Sequence, residues 1–305
     1  MKETQLNRLL SSIGSWQPPV IDGPIPHGDM PGDKVQIGQG HIDKANTIFP
    51  LLMQAIQEAG REKIVVSVFG GSGVGKSETA SLLGWYLRCM GVGSYVMSGD
   101  NYPRRIPRYN DAERERIFRA EGLKGLLAEG VYSDAVQAQL NTLWEQEVDP
   151  DPAKVAEYPW LAAYQRSGRA ALANYLGTEN EQDFDEINSI LSAFREGKEH
   201  IFLKRMGRTE AERWYSDIDF ADIHVLILEW THGGNGCLQV DIPILLNSTP
   251  EETRAHRRSR ARDGKTDSAF TTMVLEIEQA KLDDRARHAR IVIAKSGEVL
   301  DPKTL

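Results

Sequence analysis

The chain alternates between two periodicities of apolar residues, one typical of helices and one typical of buried strands. Apolar residues such as Leu52 and Ile56 recur at helical spacing and predict a helix over about 43–59, with Gly60 placed to cap its carboxyl end. A continuous β-branched run at 63–69 predicts a strand buried on both faces. The same patterns predict further strands at 94–98, 201–204, 224–229, 242–246 and 290–294. They predict further helices after the first strand and at 110–129, 133–147, 157–176, 183–196, 250–262 and 268–288.

Strands that alternate with helices predict an α/β fold, in which a mainly parallel sheet carries helices on both faces. Residues 1–60 should form a proline-rich arm with a weak first helix over 6–13, followed by the helix described above. We predict one domain over 61–305. Within it, a large helical insert at about 103–200 should lie at the carboxyl ends of the strands, where such folds bind ligands.

The composition is that of an ordinary globular protein, with 40% hydrophobic and 26% charged residues among 305. The formal net charge of −8 argues against wrapping nucleic acid by bulk electrostatics. Cys89 and Cys237 are the only cysteines, so we expect neither a disulfide framework nor a cysteine-based metal site. The N-terminus lacks a signal-peptide pattern, and no apolar run approaches the roughly 20 residues of a spanning helix. These features predict a cytoplasmic protein without membrane contact.

A glycine-rich loop follows the first predicted strand directly. It matches the Walker A pattern, and the buried strand before it and the amphipathic helix after it are the context that this motif needs. In such loops the backbone N–H groups and the positive end of the helix bind phosphates, a lysine reaches the β- and γ-phosphates and a hydroxyl ligates Mg²⁺. The alternative is a glycine-rich turn with an incidental Lys-Ser pair. The predicted ATP-binding residues of the loop are Gly70, Gly71, Ser72, Gly73, Val74, Gly75, Lys76, Ser77 and Glu78.

Motifs of three other classes of P-loop protein are missing from the sequence. The chain has no Asn-Lys-x-Asp guanine reader, which GTPases carry, and no Leu-Ser-Gly-Gly-Gln signature, which ABC-type ATPases carry. The predicted strand at 224–229 ends in a single glutamate, whereas motor ATPases usually have an acidic pair there. These absences favour a kinase that acts on a small molecule.

Two carboxylates lie at or just after the carboxyl ends of predicted strands and should meet the glycine-rich loop at that edge of the sheet. Asp100 is the candidate that orients an attacking hydroxyl and accepts its proton, so Asp100 and Lys76 are the predicted catalytic residues. An Asx turn with Asn101 is the alternative role of Asp100. Glu229, together with Ser77, is the candidate that holds Mg²⁺ directly or through water. A solvated acid at a strand end is the alternative for Glu229.

An arginine-rich segment follows the predicted strand at 242–246. Five arginines occupy nine positions, and Arg254, Arg258 and Arg262 share one face of a helix. Such a face suits a triphosphate and the charge that spreads over the γ-phosphoryl group during transfer. We therefore predict a lid over about 250–265 in which Arg258 and Arg262 bind ATP. A solvated helix face and an RNA-binding patch are the alternatives.

These features, in this order, resemble the uridine kinase and phosphoribulokinase group of P-loop kinases, which includes pantothenate and glycerate kinases. The shared features are the Walker A loop, Asp100 followed closely by the aromatic Tyr102, a strand that ends in Glu229, and an arginine-rich lid. Uridine kinases usually have glycine after that glutamate, whereas this chain has Trp230.

The resemblance covers about 64–102 and 194–294, and it leaves the first 60 residues and most of the insert without a counterpart. It implies a P-loop kinase fold with Asp100 as the base, Ser77 and Glu229 near Mg²⁺, and lid arginines on the phosphates of ATP. It does not transfer a substrate, because uridine kinases are shorter in the uncovered regions and no single substrate motif is specific to the group.

Basic residues crowd the expected acceptor side of the site. Paired arginines bind carboxylates and phosphates through bidentate hydrogen bonds. The hypothesis is therefore an anionic acceptor such as a sugar phosphate or a hydroxy acid, with a nucleoside as the neutral alternative. Ordinary ion pairing with nearby acids is the other role open to these side chains. The predicted substrate residues are Tyr102, Arg104, Arg105, Arg108, Lys204 and Arg205.

The combined prediction is a kinase that uses ATP and Mg²⁺ and phosphorylates a hydroxyl of a small metabolite. A second interpretation is a regulatory or scaffold protein that binds ATP without useful transfer, with the arm and the insert as partner-binding surfaces. A nucleic-acid kinase is a third interpretation, and the acidic net charge argues against it. The expected partners are ATP and a small acceptor, and a homodimer is the assembly state to test.

Overall fold

The computed structural model describes residues 6–7, 10, 16–33, 35–260 and 268–305. The helices are α1 (Gln39–Ala59), α2 (Lys76–Cys89), α3 (Pro107–Ala128), α4 (Asp134–Glu145), α5 (Leu161–Tyr175), α6 (Phe184–Arg195), α7 (Pro250–Arg260) and α8 (Ala269–Ala286). The strands are β1 (Ile64–Gly70), β2 (Ser94–Ser98), β3 (His200–Met206), β4 (Arg213–Asp219), β5 (Val225–Glu229), β6 (Ile242–Leu246), β7 (Ile291–Ile293) and β8 (Val299–Leu300). Short 3₁₀ segments lie at Gly99–Asn101, Pro152–Ala156 and Pro302–Thr304.

Most of the predicted elements are confirmed with boundaries that differ by a few residues. The helix predicted over 43–59 is α1, and Gly60 ends it in the left-handed conformation, with φ of +60° and its N–H donating to the carbonyl of Ile56. Most of the weak first helix predicted over 6–13 lies outside the described residues. Within the described part of the chain, no helix is both long enough and apolar enough to cross a membrane.

The chain groups into two compact units. The first unit consists of 1–102, 183–256 and 281–305, and the second consists of 103–182 and 257–280. Helix α6 and strand β3, which fall at the end of the predicted insert, therefore belong to the first unit together with the glycine-rich loop.

A six-stranded sheet forms the centre of the first unit, with the order β2-β5-β1-β6-β7-β8. Every pair except β7 with β8 is parallel, which confirms the prediction of a mainly parallel sheet. Strand β1 lies between β5 and β6, and Val68 of β1 is the partner of Glu229 of β5. Ser98 of β2 is also the partner of Glu229. The carboxyl ends of three strands thus lie side by side.

Helices cover both faces of this sheet, as the alternation of side chains along β1 shows. Val66 and Val68 belong to a core cluster with Leu52 of α1 and Leu83 of α2. Val65 points the other way and joins the cluster that contains α6 and part of β3. All seven residues of β1 are buried, and each fully buried Val or Ile side chain contributes about 1.5–3 kcal/mol. The rigid strand fixes the point where the glycine-rich loop begins.

The apolar run at 201–204 does not join the parallel sheet, which corrects the prediction made from the sequence. It lies in β3, which pairs antiparallel with β4 in a separate two-stranded sheet. Strand β4 was not predicted, because it begins with three exposed residues, Arg213, Trp214 and Tyr215, and carries few apolar side chains. A strand with so little burial lacks the apolar signal that identifies strands in a sequence.

The second unit is mainly helical. Helices α3 and α5 approach closely at Gly122, where a Cβ atom would lie 2.5 Å from a ring carbon of Tyr164. Beside this contact the buried Asp149 accepts hydrogen bonds from Arg119 at 3.1 Å and from the Tyr164 hydroxyl at 2.8 Å. This arrangement pairs a buried charge and satisfies its oxygens, as a packed interior requires.

Candidate active site

The glycine-rich loop leaves the carboxyl end of β1 at Gly70 and ends where α2 begins at Lys76. Gly75 has φ of +95°, and a Cβ atom there would lie 2.8 Å from the ring of His41, which belongs to the first turn of α1. A Cβ atom at Gly70 would lie 2.5 Å from the carbonyl oxygen of Leu246 in β6. The loop therefore packs so closely against its neighbours that only glycine fits at these two positions.

The first turn of α2 presents the polar residues that were predicted for this loop. The Lys76 ammonium donates to the carbonyl of Gly71 at 3.0 Å, so the side chain folds back over the loop. The Ser77 hydroxyl donates to a carboxylate oxygen of Glu229 at 3.2 Å. Glu78 is fully buried. The structure thus brings Ser77 and Glu229 together, as the sequence predicted.

Glu229 occupies the buried end of β5 and lies between two hydroxyl groups. One of its oxygens accepts a hydrogen bond from Ser98 at 2.6 Å and the other accepts from Ser77. Burial first and the negative charge of Asp100 second raise the pKa of Glu229, the Ser98 hydrogen bond and the charge of Lys76 lower it, and the net value is about 8. Below about pH 8 such a carboxyl group favours its protonated form unless a cation compensates its charge.

Asp100 lies in the 3₁₀ turn that follows β2, and its side chain is exposed. Its charge acts on the carboxyl of Glu229, so the two acids occupy the same edge of the sheet. Gly99 precedes it, and a Cβ atom there would lie 2.1 Å from a ring atom of the fully buried Trp230. The Trp230 ring also lies 5.5 Å from that of Phe184. Trp230, which stands where uridine kinases usually have glycine, therefore packs directly against the turn that carries Asp100.

The N-terminal arm supplies a residue that sequence reasoning missed. Asp29 accepts hydrogen bonds from the Ser98 backbone N–H at 2.7 Å, the Asn101 amide at 3.2 Å and the Tyr95 hydroxyl at 3.1 Å. It also forms an ion pair with Arg205 at 2.9 Å. Because Asp29 lies in an irregular segment that is rich in proline and glycine, neither periodicity nor a motif marks it in the sequence. Its position becomes apparent only from the fold.

Three predicted substrate residues lie in the first unit. Tyr102 is fully buried in the core that contains α6. The Lys204 ammonium lies 4.9 Å from the centre of the Tyr102 ring and forms an ion pair with Glu186 at 2.6 Å. Arg205 is paired with Asp29. A carboxylate thus compensates the charge of Lys204 and another compensates that of Arg205, the two cations that were predicted to bind the acceptor in this unit.

The other three predicted substrate residues lie in the second unit. Arg104 donates to the carbonyl of Glu179 at 2.6 Å, and Arg105 donates to the Tyr175 hydroxyl at 3.0 Å. The side chain of Arg108 is exposed. The roles of these arginines stay predictions.

The described residues contain no preassembled group of three or more His, Cys, Asp or Glu side chains that could hold a metal ion. The oxygens of Ser77 and Glu229 are the pair that best fits a cation, because they already lie within hydrogen-bonding distance of each other. The side chain of Arg258 and all of Arg262, which were predicted to bind ATP, lie outside the described residues.

The chain is similar in sequence to part of a longer curated protein. No protein-family model matches the chain. The chain is 33% identical over 279 residues to a curated protein of Mediterraneibacter gnavus, the bifunctional alpha-galactosidase/sucrose kinase AgaSK, and the match covers 91% of this chain. The chain spans 25% of the length of that relative.

A solved structure of a provisionally assigned fructose transport system kinase from Silicibacter sp. TM1040 also matches the chain. The match has 14% identity and a TM-score of 0.45, and it covers 79% of this chain and 94% of the other. A likeness at this level is too low to support an argument about fold or activity.

Proposed function

We propose that this chain is a kinase that transfers the γ-phosphate of ATP to a hydroxyl group of a small sugar or a related metabolite. The observation that carries the proposal is the meeting of Ser77, Glu229 and Asp100 at the carboxyl edge of one sheet, beside the glycine-rich loop. The similarity to a protein whose name includes a sucrose kinase supports the same class of reaction.

The glycine-rich loop and the start of α2 fit the phosphates of ATP. Gly70, Gly73 and Gly75 all have positive φ and carry no side chain, so backbone N–H groups can approach an anion closely. The amino end of α2 adds the positive end of a helix dipole. The Lys76 ammonium, which donates to the Gly71 carbonyl here, would exchange that contact for phosphate oxygens.

Ser77 and Glu229 fit a magnesium ion. A hydroxyl and a carboxylate are suitable oxygen ligands, since Mg²⁺ usually takes one or two protein ligands and completes its shell with water and phosphate oxygens. When bound, Mg²⁺ would neutralise charge on the transferring phosphate. Glu229 must be ionised to act as a ligand, and a nearby cation favours that form against the burial that raises its pKa.

Asp100 is the side chain that best fits the role of base. It lies in the turn at the end of β2, it is exposed, and it is close enough to Glu229 to affect its ionisation. A carboxylate at that position can orient a hydroxyl group and accept its proton as the γ-phosphate transfers.

The ion pairs around Lys204 and Arg205 favour a neutral polyhydroxyl acceptor over an anionic one. Both side chains are at most 8% exposed, and each has a carboxylate partner within 3.0 Å. A phosphate or carboxylate on the acceptor would have to compete with Glu186 or Asp29 for these cations. Displacement of Asp29 would leave a buried acid without its positive partner, which is costly. Unphosphorylated sugars therefore fit this part of the site better than sugar phosphates or hydroxy acids do.

The deciding experiment compares wild type with Asp100→Asn on a panel of unphosphorylated sugars, sugar phosphates and nucleosides, with mass spectrometry of the products. We expect one sugar product with wild type, at least a hundredfold loss of turnover in the variant, and unchanged affinity for ATP by calorimetry. If Asp100→Asn turns over as fast as wild type, Asp100 is not the base. If ATP binds and no acceptor yields a product, the regulatory or scaffold interpretation replaces the kinase.

A further inference from the structure

The turn that carries Asp100 is held from both sides by one residue of the N-terminal arm. The same oxygen of Asp29 accepts a hydrogen bond from the backbone N–H of Ser98 and another from the side chain of Asn101. Ser98 lies two positions before Asp100 and Asn101 lies one position after it. Asp29 therefore fixes the backbone on either side of the candidate base without occupying its position.

The contacts of Ser98 and Asn101 extend this arrangement to the rest of the site. The hydroxyl of Ser98 donates to Glu229 at 2.6 Å, so the residue that Asp29 holds through its backbone also binds the candidate metal ligand. The amide oxygen of Asn101 accepts from the backbone N–H of Met206 at 3.0 Å, which ties the turn to the end of β3. A shift of this turn would therefore displace Asp100 and disturb the contact with Glu229 together.

The second oxygen of Asp29 ties the arm to two further side chains. It accepts a hydrogen bond from the Tyr95 hydroxyl and forms the ion pair with the Arg205 guanidinium. Arg205 also donates to the Tyr95 hydroxyl at 2.9 Å. The side chains of Asp29 and Arg205 are each 8% exposed. The pKa of Asp29 lies above its ordinary value, because the effect of burial outweighs the charge of Arg205 and the hydrogen bonds, which lower it. A closed set of three polar side chains in a desolvated place has one favourable geometry.

We propose that Asp29 is a positioning residue for phosphoryl transfer, which sets the orientation of Asp100 and of the Ser98–Glu229 contact from the N-terminal arm. This inference rests on the proposed function of the site. It assigns a part in catalysis to the arm, in addition to its packing on the core through side chains such as Trp16 and Ile25. Asp29 acts through the turn and does not touch the reacting atoms.

The test is Asp29→Asn, which keeps the size of the side chain and removes its charge. We expect kcat with the best sugar acceptor to fall at least tenfold, while KM for ATP in the presence of Mg²⁺ changes less than twofold. A purely structural role would lower the amount of folded protein and leave kcat per folded molecule unchanged. An unchanged kcat in folded Asp29→Asn would overturn the proposal.

The chain offers a matched control in the second unit. Asp149 is also a buried aspartate that pairs with one arginine and one tyrosine hydroxyl, Arg119 and Tyr164. We expect Asp149→Asn to lower the thermal stability and to leave kcat within twofold of wild type. An equal loss of kcat in both variants would show a general effect of weakened packing and would overturn the specific role of Asp29.

If Asp29→Asn does not fold, Tyr95→Phe decides the question, because it removes one hydrogen bond to Asp29 and keeps the ring. We expect a two- to fivefold loss of kcat, and no loss would contradict the proposal. The Asp100→Asn comparison separates this outcome from failure of the proposed function. An active wild type that depends on Asp100 and is indifferent to Asp29 contradicts only the positioning role.

Discussion

The hydroxyl of Ser77 donates a hydrogen bond to Glu229 at 3.2 Å across 152 positions of sequence. The contact exists because β1 and β5 are parallel neighbours, so the helix that follows β1 starts beside the residue that ends β5. Two oxygens at this distance form one edge of a cation site without any rearrangement of the backbone. Their relationship links the phosphate-binding loop to the acidic side of the candidate active site.

Removal of the Ser77 hydroxyl should weaken the binding of nucleotide with Mg²⁺. We expect Ser77→Ala to lower the affinity for ADP in the presence of Mg²⁺ by at least tenfold and kcat by about a hundredfold, because one metal ligand is lost. Calorimetric titration with and without Mg²⁺ measures the effect. Ser81→Ala is the control, since Ser81 lies one turn further along α2 and its hydroxyl is buried without a hydrogen-bond partner among the described residues. Equal losses in both variants would exclude a special role for Ser77.

The ionisation of Glu229 should make the stability of the protein depend on pH in the absence of metal and nucleotide. Its pKa is about 8 in the folded state. The ordinary value for a glutamate, which applies to the unfolded state, is 4.5. Between these values the folded state binds a proton that the unfolded state has released, so the free energy of unfolding falls as pH rises. This contribution is complete below pH 4.5 and is lost as pH rises through about 8.

Thermal unfolding of wild type and Glu229→Gln between pH 6 and pH 9 measures this dependence. We expect the Tm of wild type to fall, relative to that of the variant, by at least about 2–4 °C, which is the effect of about 1 kcal/mol in a larger domain. The variant removes the titrating group and keeps the shape of the side chain. Parallel curves for the two proteins would show that Glu229 does not change its protonation in this range.

The contact between Gly75 and His41 should make Gly75→Ala more harmful than a change at an ordinary glycine of positive φ. The new methyl group would meet the His41 ring at 2.8 Å, in addition to the backbone strain at φ of +95°. We expect loss of ATP binding by at least a hundredfold. Gly130 is the control, because it has φ of +68° and no atom lies within 4 Å of the position that a Cβ would take. Gly130→Ala therefore carries only the backbone cost of about 1 kcal/mol. Intact ATP binding by Gly75→Ala would disprove the tight fit.

Glu186 should determine how the site responds to charge on the acceptor. Its carboxylate pairs with Lys204 at 2.6 Å and accepts from the Tyr215 hydroxyl at 2.8 Å. Glu186→Gln leaves the buried Lys204 charge uncompensated, so an anionic group becomes more acceptable there. We expect the ratio of kcat/KM for a phosphorylated sugar to that for the free sugar to rise about tenfold.

Kinetics with the two acceptors, for wild type and Glu186→Gln, measure this ratio. The control is Glu157→Gln, which removes the partner of Lys154 in a surface pair of the second unit. Surface pairs contribute little, so the ratio should not change in this variant. A ratio that stays constant in Glu186→Gln as well would mean that Lys204 does not face the acceptor.

The sequence predicts the parts of this molecule whose residues interact with close neighbours in the chain or with a fully apolar environment. Strand β1 and helix α1 were found within a few residues of their predicted bounds, because burial on both faces or on one stripe dictates the apolar pattern. The pairing of Ser77 with Glu229 was also predictable, since parallel strands bring their carboxyl ends together.

Features that depend on contacts between distant and irregular segments could not be predicted in this way. Strand β4 is exposed along most of its length, so hydrogen bonds to β3 define it and hydrophobicity does not. Asp29 lies in an arm without periodicity, and its partners come from β2, the following turn and β3. The pairing of Lys204 with Glu186 likewise requires the fold, because it joins β3 to the start of α6.

The close packing of Gly99 on Trp230 also has an evolutionary meaning. A Cβ atom at 99 would lie 2.1 Å from the Trp230 ring, so no side chain at 99 is compatible with tryptophan at 230. We therefore expect the two positions to change together. Among homologues, a residue other than glycine at 99 should occur only where a residue smaller than tryptophan stands at 230. This covariation would identify the lineage in which an aromatic ring came to support the turn of Asp100.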